Sequence, residues 1–174
     1  KMVNKHLPNT KFETRVRDDT LEGDNPFTWE TRTVTDYFEN TTSVLFSLPG
    51  AFTPTCSTFQ LPDFERLYDR FVENGITNIY CISVNDAFVM SKWGQDQGVK
   101  NVKLIPDGCG SFIRQMGMLV AKDNLGFGYR SWRYAAVVDN MKVTHWFEEP
   151  GILDNCEDDP YGETSPQNIL SALK

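Results

Sequence analysis

Residues 47–61, SLPGAFTPTCSTFQL, join an apolar run to a helical pattern. The run 44–48 reads as a buried strand and the segment 56–72 as a helix, so this stretch is a strand-to-helix turn. Pro49 and Pro54 restrict its backbone and Gly50 admits angles closed to other residues, which predicts a rigid loop of unusual shape. Cys56 falls in the first helical turn. There the backbone N–H groups lack intrahelical partners and the dipole presents partial positive charge, so a thiolate is favoured over a thiol. A nucleophilic cysteine is the first functional expectation.

Working outward, Phe59, Phe64, Leu67, Tyr68, Phe71 and Val72 recur at spacings of three and four, marking one face of a helix that ends near Gly75. Pro62 cannot donate a hydrogen bond and crowds the preceding turn, which predicts a kink at residues 60–62. Residues 77–84 read as a buried strand, Asn85 and Asp86 as a helix start, 87–97 as the helix and 102–105 as another strand. A short helix over 111–116 and a loop over 117–130 follow. Gly126 and Gly128 in that loop lack the third glycine and preceding strand of a nucleotide fingerprint, and read as a turn. Residues 134–138 and 142–147 flank Asp139-Asn140 as a β-hairpin. Glu148, Glu149, Asp154, Glu157, Asp158 and Asp159 then match no EF-hand spacing, so no metal site is expected, and the segment reads as a solvated acidic loop. Ser165 caps and Pro166 opens a last helix.

Towards the N-terminus, alternating segments at 11–16 and 29–34 around a turn-rich 18–26 predict a hairpin or edge strands, with a helical turn at Asp36, Tyr37 and Phe38 before the core strand at 42–48. Strands alternating with helices, then a hairpin and a terminal helix, predict an α/β fold: a central mixed β-sheet flanked by helices, with an N-terminal β extension. At 174 residues and 40% hydrophobic content the chain suits one domain, 1–174. A net charge of −7 argues against nucleic acid or an anionic membrane as partner. No stretch has the ~18 apolar residues of a membrane span. Four cysteines, 56, 81, 109 and 156, without paired spacing predict a reducing, cytoplasmic setting. Lys1 before Met2 reads as a tagged or processed end, which leaves organellar targeting open.

Pro49-x-x-x-Thr53-x-x-Cys56 resembles the active-site signature of the peroxiredoxins, and PGAFTPTCS resembles their type II (peroxiredoxin-5-like) group. CISVNDAFVM (81–90), PDG (106–108) and GMLVAKDNLGFGYRSWRY (117–134) are similar to that group in the same order. The last string is most similar to the peroxiredoxin half of bacterial peroxiredoxin–glutaredoxin hybrids. The resemblance implies a thioredoxin-like fold with a kinked first helix, and a thiol-dependent peroxidase acting on hydrogen peroxide and small organic hydroperoxides through a cysteine sulfenic acid, without a cofactor. It implies that the Thr53 hydroxyl and the N–H groups of Thr55 and Cys56 bind the peroxide oxygens, that Pro49 shields the sulfur, and that Arg133 lies against the thiolate. Arg130 reads as an ordinary surface arginine.

Cys81, in the apolar run IYCISV, reads as a buried and inert thiol, yet the type II resemblance makes it a candidate resolving cysteine. Cys109 and Cys156 read as exposed bystanders. Glu163-Thr164-Ser165 stands where animal relatives place a resolving cysteine, which argues against that disulfide. The expected reductant is glutathione with glutaredoxin, with thioredoxin as the other candidate. A homodimer is expected from the resemblance, with Phe52 in the loop as its residue-level motive. Two other classes stand beside the peroxidase. One is a redox-sensing or chaperone-like binding protein whose Cys56 oxidises without turnover. The other is a Cys-His hydrolase, for which neither His6 nor His145 has a suitable context.

Overall fold

The computed structural model describes residues 2–174. Strands β1 (Lys11–Arg17) and β2 (Phe27–Thr33) pair antiparallel as a separate two-stranded sheet, the expected N-terminal extension. Thr33 caps the short helix α1 (Val34–Phe38) in a reciprocal box with Asp36, which satisfies two backbone donors at the helix start. Strand β3 (Thr42–Ser47) then enters the core and is followed by the 47–61 loop.

The segment expected as one kinked helix is three pieces. Residues Cys56–Gln60 form a π-turn in which Leu61 N donates to the Cys56 carbonyl, five residues back. Helices α2 (Leu61–Arg66) and α3 (Tyr68–Glu73) follow, broken at Leu67. Pro62 has no N–H to give the preceding turn, and a wider turn there relieves its crowding. The expected kink is therefore a π-turn, and the break at Leu67 was not foreseen.

Strand β4 (Asn78–Ser83) leads to α4 (Ala87–Gln97), capped by Asp86 Oδ1 accepting from Val89 N at 2.9 Å and closed by Gly98 in the left-handed region. Strand β5 (Lys103–Pro106) and helix α5 (Ser111–Gln115) come next. The 117–130 stretch is not all loop: β6 (Leu119–Ala121) and β7 (Tyr129–Ser131) pair antiparallel around a helical turn at Asp123–Leu125. Strands β8 (Tyr134–Asp139) and β9 (Lys142–Glu148) form the expected hairpin, and Ser165 caps α6 (Pro166–Leu173).

The central sheet runs β5-β4-β3-β8-β9, with β3 parallel to β4, β4 parallel to β5 and the β3–β8 and β8–β9 pairs antiparallel. Both faces are buried, and the two-residue period sorts them. Leu45, Tyr80, Ile82, Ala136 and Val138 pack on the side of α1, α5 and the N-terminal hairpin. Val44, Phe46, Ile79, Cys81, Ala135 and Val137 pack on the side of α2, α3, α4 and α6, where the Phe46 and Phe64 rings stack at 3.9 Å.

Glu65 of α2 pins the turn that feeds β5. Its carboxylate accepts from Lys100 N at 3.0 Å and from Asn101 N and Val102 N at 2.9 Å. Partial burial works against its charge, but these donors hold its carboxyl below the usual carboxylate range. A depressed folded-state pKa stabilises the protein above the unfolded value and loses that contribution as pH falls through the folded one. Glu65→Gln is expected to cost about 1 kcal/mol near neutrality, a value held low because the group is still partly exposed to solvent. Urea unfolding at a series of pH values should show the gap between parent and variant closing on acidification; a gap that widens there refutes the assignment.

Candidate active site

Strand register brings the site together. Ser47, the last residue of β3, pairs with Tyr134, the first of β8, and the strands are antiparallel. The loop leaving β3 and the arginine entering β8 therefore emerge at one edge of the sheet.

Helical geometry begins at Pro54, so Cys56 is the third helical residue, and its side chain is fully buried. Arg133, 2% exposed, donates from Nη1 to Cys56 Sγ at 3.4 Å. The same nitrogen donates to Gln60 Oε1, and Nη2 donates to Asp159 Oδ1 at 2.5 Å. The Tyr161 ring lies 5.7 Å from the guanidinium carbon. Burial opposes the charge of Arg133, but its interactions with Cys56 and Asp159 outweigh it and hold its pKa above the ordinary arginine value.

Thr53 Oγ1 donates to the Gly50 carbonyl at 2.7 Å, which commits its proton and leaves its lone pairs as acceptors. Phe52 sits in the left-handed region and is half exposed, so the loop stores strain at its tip. Asn85 ties the loop to the end of β4: its Oδ1 accepts from Ala51 N at 3.0 Å and from Ser83 Oγ at 2.6 Å. Pro49 is buried, and its carbonyl accepts from Arg130 Nη1 at 3.0 Å. A Cβ at residue 50 would collide with that Nη1 atom, so glycine is what lets Arg130 dock. Trp93 Nε1 donates to Ser57 Oγ at 2.9 Å and fixes the residue after the cysteine.

Cys56, Arg133, Thr53, Thr55 and Pro49 are thus brought to one place. Cys81 lies in the same apolar cluster as Cys56, fully buried on β4. Burial, with the Cys56 charge adding to it and Arg133 easing it, pushes the Cys81 thiol well above the usual range. Cys109 is exposed, whereas Cys156 is half-buried against the other cluster, contrary to the expectation for it.

Two further expectations are corrected. Arg130 is not an ordinary surface arginine, since it is half-buried on the Pro49 carbonyl. The acidic loop is not merely solvated. The Glu149 carboxylate accepts from Gly162 N, Glu163 N, Thr164 N and Thr164 Oγ1, folding the segment back so that Asp159 and Tyr161 land on Arg133. Asp154 Oδ1 accepts from Ala121 N at 2.8 Å. Gln60 carried a readable signal, a polar side chain four residues from Cys56 on the same helix face. Asp159 carried none, because nothing local relates it to residue 133.

Among the described residues no cluster of His, Cys, Asp or Glu is suited to hold a metal ion, and no helix is long and apolar enough to cross a membrane.

The sequence matches the Redoxin family over residues 6–161. It is 66% identical to a peroxiredoxin of Rhizobium etli over 99% of this chain and 96% of that one. It is 42% identical to the hybrid peroxiredoxin hyPrx5 of Haemophilus influenzae over 99% of this chain and 66% of the longer protein. The solved structure of the Plasmodium falciparum antioxidant protein, a 1-Cys peroxiredoxin, superimposes with a TM-score of 0.91 at 38% identity, covering 98% of each chain.

The three anchors of Arg133 differ in exposure, and Asp159 is the outermost at 47%. Arg133→Gln is expected to lower the rate of Cys56 oxidation by peroxide about 10²–10³-fold, as for other preorganised donors. Asp159→Ala, with Gln60 still holding Nη1, is expected to cost about tenfold, or roughly 1.4 kcal/mol. Stopped-flow oxidation of both variants decides the matter: an unchanged rate in Asp159→Ala would show that Asp159 does not position the guanidinium.

Proposed function

The chain belongs to the peroxiredoxin family of thiol peroxidases, and on that premise we propose that Cys56 reduces hydrogen peroxide and small organic hydroperoxides and is regenerated by glutathione with glutaredoxin. The observation that carries the reading is the buried Arg133 guanidinium 3.4 Å from a cysteine sulfur in the first turn of a helix. The fold is thioredoxin-like, with its mixed sheet flanked by helices.

In this mechanism the Cys56 thiolate attacks one peroxide oxygen in line with the O–O bond. An S–O bond forms as the O–O bond breaks, and the leaving alkoxide or hydroxide takes a proton and departs as alcohol or water. The Thr53 lone pairs accept from the peroxide O–H, while the N–H groups of Thr55 and Cys56 and the charge of Arg133 meet the developing negative charge. Pro49 covers the sulfur and keeps water from it.

Cys56 is left as a sulfenic acid. Glutathione attacks the sulfenic sulfur and releases water, giving a mixed disulfide. Glutaredoxin, or a second glutathione, attacks the glutathionyl sulfur and returns the Cys56 thiolate. Two observations support an external thiol. Cys81 is fully buried, with its thiol held in the protonated form, and a thiol is a far weaker nucleophile than a thiolate. The chain also resembles the hybrid peroxiredoxin hyPrx5 over 99% of its length. The setting we assign is cytoplasmic, with thioredoxin as the other candidate donor.

Under excess glutathione and glutaredoxin the protein is expected to consume many equivalents of peroxide. Cys56→Ser should abolish this and Cys81→Ser should leave it nearly intact. Consumption that stops at one equivalent would instead identify a sensor. Loss of turnover in Cys81→Ser, with a Cys56–Cys81 disulfide in the parent by non-reducing mass spectrometry, would show internal resolution.

Phe52 and Phe59 are exposed on either side of Cys56, and Tyr129 is exposed on β7, whose Arg130 docks on the same loop. We assign this apolar rim to a homodimer. Sedimentation at tens of micromolar should give a dimer mass, and Phe52→Asp should shift it towards the monomer; a parent that sediments as a monomer refutes the assignment.

A further inference from the structure

One roomy cavity of the molecule lies away from Cys56. A cleft of about 660 Å³ lies between β1, the end of β2, α4 and the turn into β5. Its volume is that of small-molecule sites, which run from about 300 to 1,000 Å³. Tyr37, Met90, Val99 and Leu104 give it an apolar floor, and Arg15, Arg32, Lys100 and Lys103 line it, with no lining carboxylate. That balance is the reverse of the chain's own, which carries 24 acidic and 17 basic residues.

The cations are also short of anionic partners. Of the four, Arg32 alone makes an ion pair among the described residues, with Glu30 at 3.3 Å, both groups being well exposed. Arg15 is held against the Trp29 and Phe88 rings at 5.0 and 5.1 Å, and its Nη2 donates only to the Asn25 side chain and the Phe27 carbonyl. Lys103 Nζ donates to Asn78 Oδ1 at 3.0 Å. Arg32 also lies over the Tyr37 ring, at 4.6 Å. Two guanidinium groups are therefore pre-oriented by aromatic rings, and this lowers the entropy lost when they take up a ligand.

We propose that this cleft binds a small organic anion, a phosphate or carboxylate attached to an apolar or aromatic body. The cations of the rim take the charged group and the Tyr37, Met90, Val99 and Leu104 floor takes the body. Neither part alone suffices. A free inorganic anion leaves the apolar floor wet, and a neutral apolar molecule leaves the cations unpaired. Low-dielectric walls around charges of one sign focus their field, so attraction persists although the protein is acidic overall.

The test is titration of the parent protein with adenosine monophosphate, decanoate, inorganic phosphate, and the uncharged adenosine and decanol, at constant ionic strength, read by amide NMR. At least one of the two organic anions is expected to shift amides of residues 14–16, 87–95 and 98–104 saturably, and the uncharged analogues are not. Which one does so distinguishes a phosphate from a carboxylate ligand. Lys100 and Lys103 are both exposed, so Lys100→Gln/Lys103→Gln should keep its fold and peroxidase rate, yet weaken binding about tenfold. Arg32→Gln provides a second, independent removal of charge. The proposal is overturned if neither organic anion shifts these amides at about 5 mM, the weak end of ligand affinity. It is equally overturned if the charge variants bind as well as the parent, or if inorganic phosphate or the uncharged analogues match the organic anions.

Discussion

A guanidinium with almost no exposure governs the arrangement of this site. An isolated buried cation costs several kcal/mol even after the surroundings relax, so the partners of its two terminal nitrogens are what make Arg133 tenable, while its Nε stays buried and unpaired. Its partners come from two distant parts of the chain: Cys56 and Gln60, at the two ends of the π-turn, and Asp159 in the C-terminal loop. Glu149 gathers the backbone of residues 162–164 and so fixes where Asp159 can reach. The Cys56 sulfur is one partner of a cation that the loop after β9 helps to hold.

Topology makes that convergence inexpensive. The parallel strands β3 and β4 end side by side, so the loop after β3 and the residues after β4 share one edge, where Asn85 bridges them by accepting from Ala51 N. The antiparallel β8 starts at the same edge with Arg133 just before it. Carboxyl ends of parallel strands are where open α/β sheets place their ligands, because the connecting loops there diverge and leave a crevice. Here the crevice is narrow, and a strained Phe52, a buried Pro49 and a docked Arg130 close most of it. The wide cleft behind α4 has the opposite character: open, cationic and without a nucleophile.

What could be read from the sequence follows from the range over which each interaction acts. The caps at Asp86 and Ser165 are local, and those helices run as expected. Cys56, Thr53 and Pro49 sit within one short loop, so their proximity was legible. β6 and β7 were not, because three-residue strands are too short to show a period. Pro62 announced a disturbance but not its form, since a kink and a π-turn both relieve it. The contacts of Arg133 with Asp159 and of Arg130 with Pro49 span 26 and 81 positions, and no local pattern encodes a pairing of that length.

Two cysteines share one apolar cluster beside one arginine, and the fold gives them opposite chemistry. Both are fully buried, so burial alone does not separate them. Cys56 has a direct N–H···S contact from the guanidinium and the free donors of a helix start. Cys81 sits in mid-strand, paired in register between β3 and β5, and Arg133 reaches it only as a distant charge that cannot offset desolvation. Negative charge on Cys56 then raises the cost of ionising Cys81 further. A thiolate at Cys56 would thus help to keep Cys81 protonated. Were Cys56 oxidised to the neutral sulfenic acid, that repulsion would vanish, but burial, the larger effect, would remain. Cys81 would still need the strand to open before it could attack, whereas a small thiol needs only the mouth of the Cys56 loop.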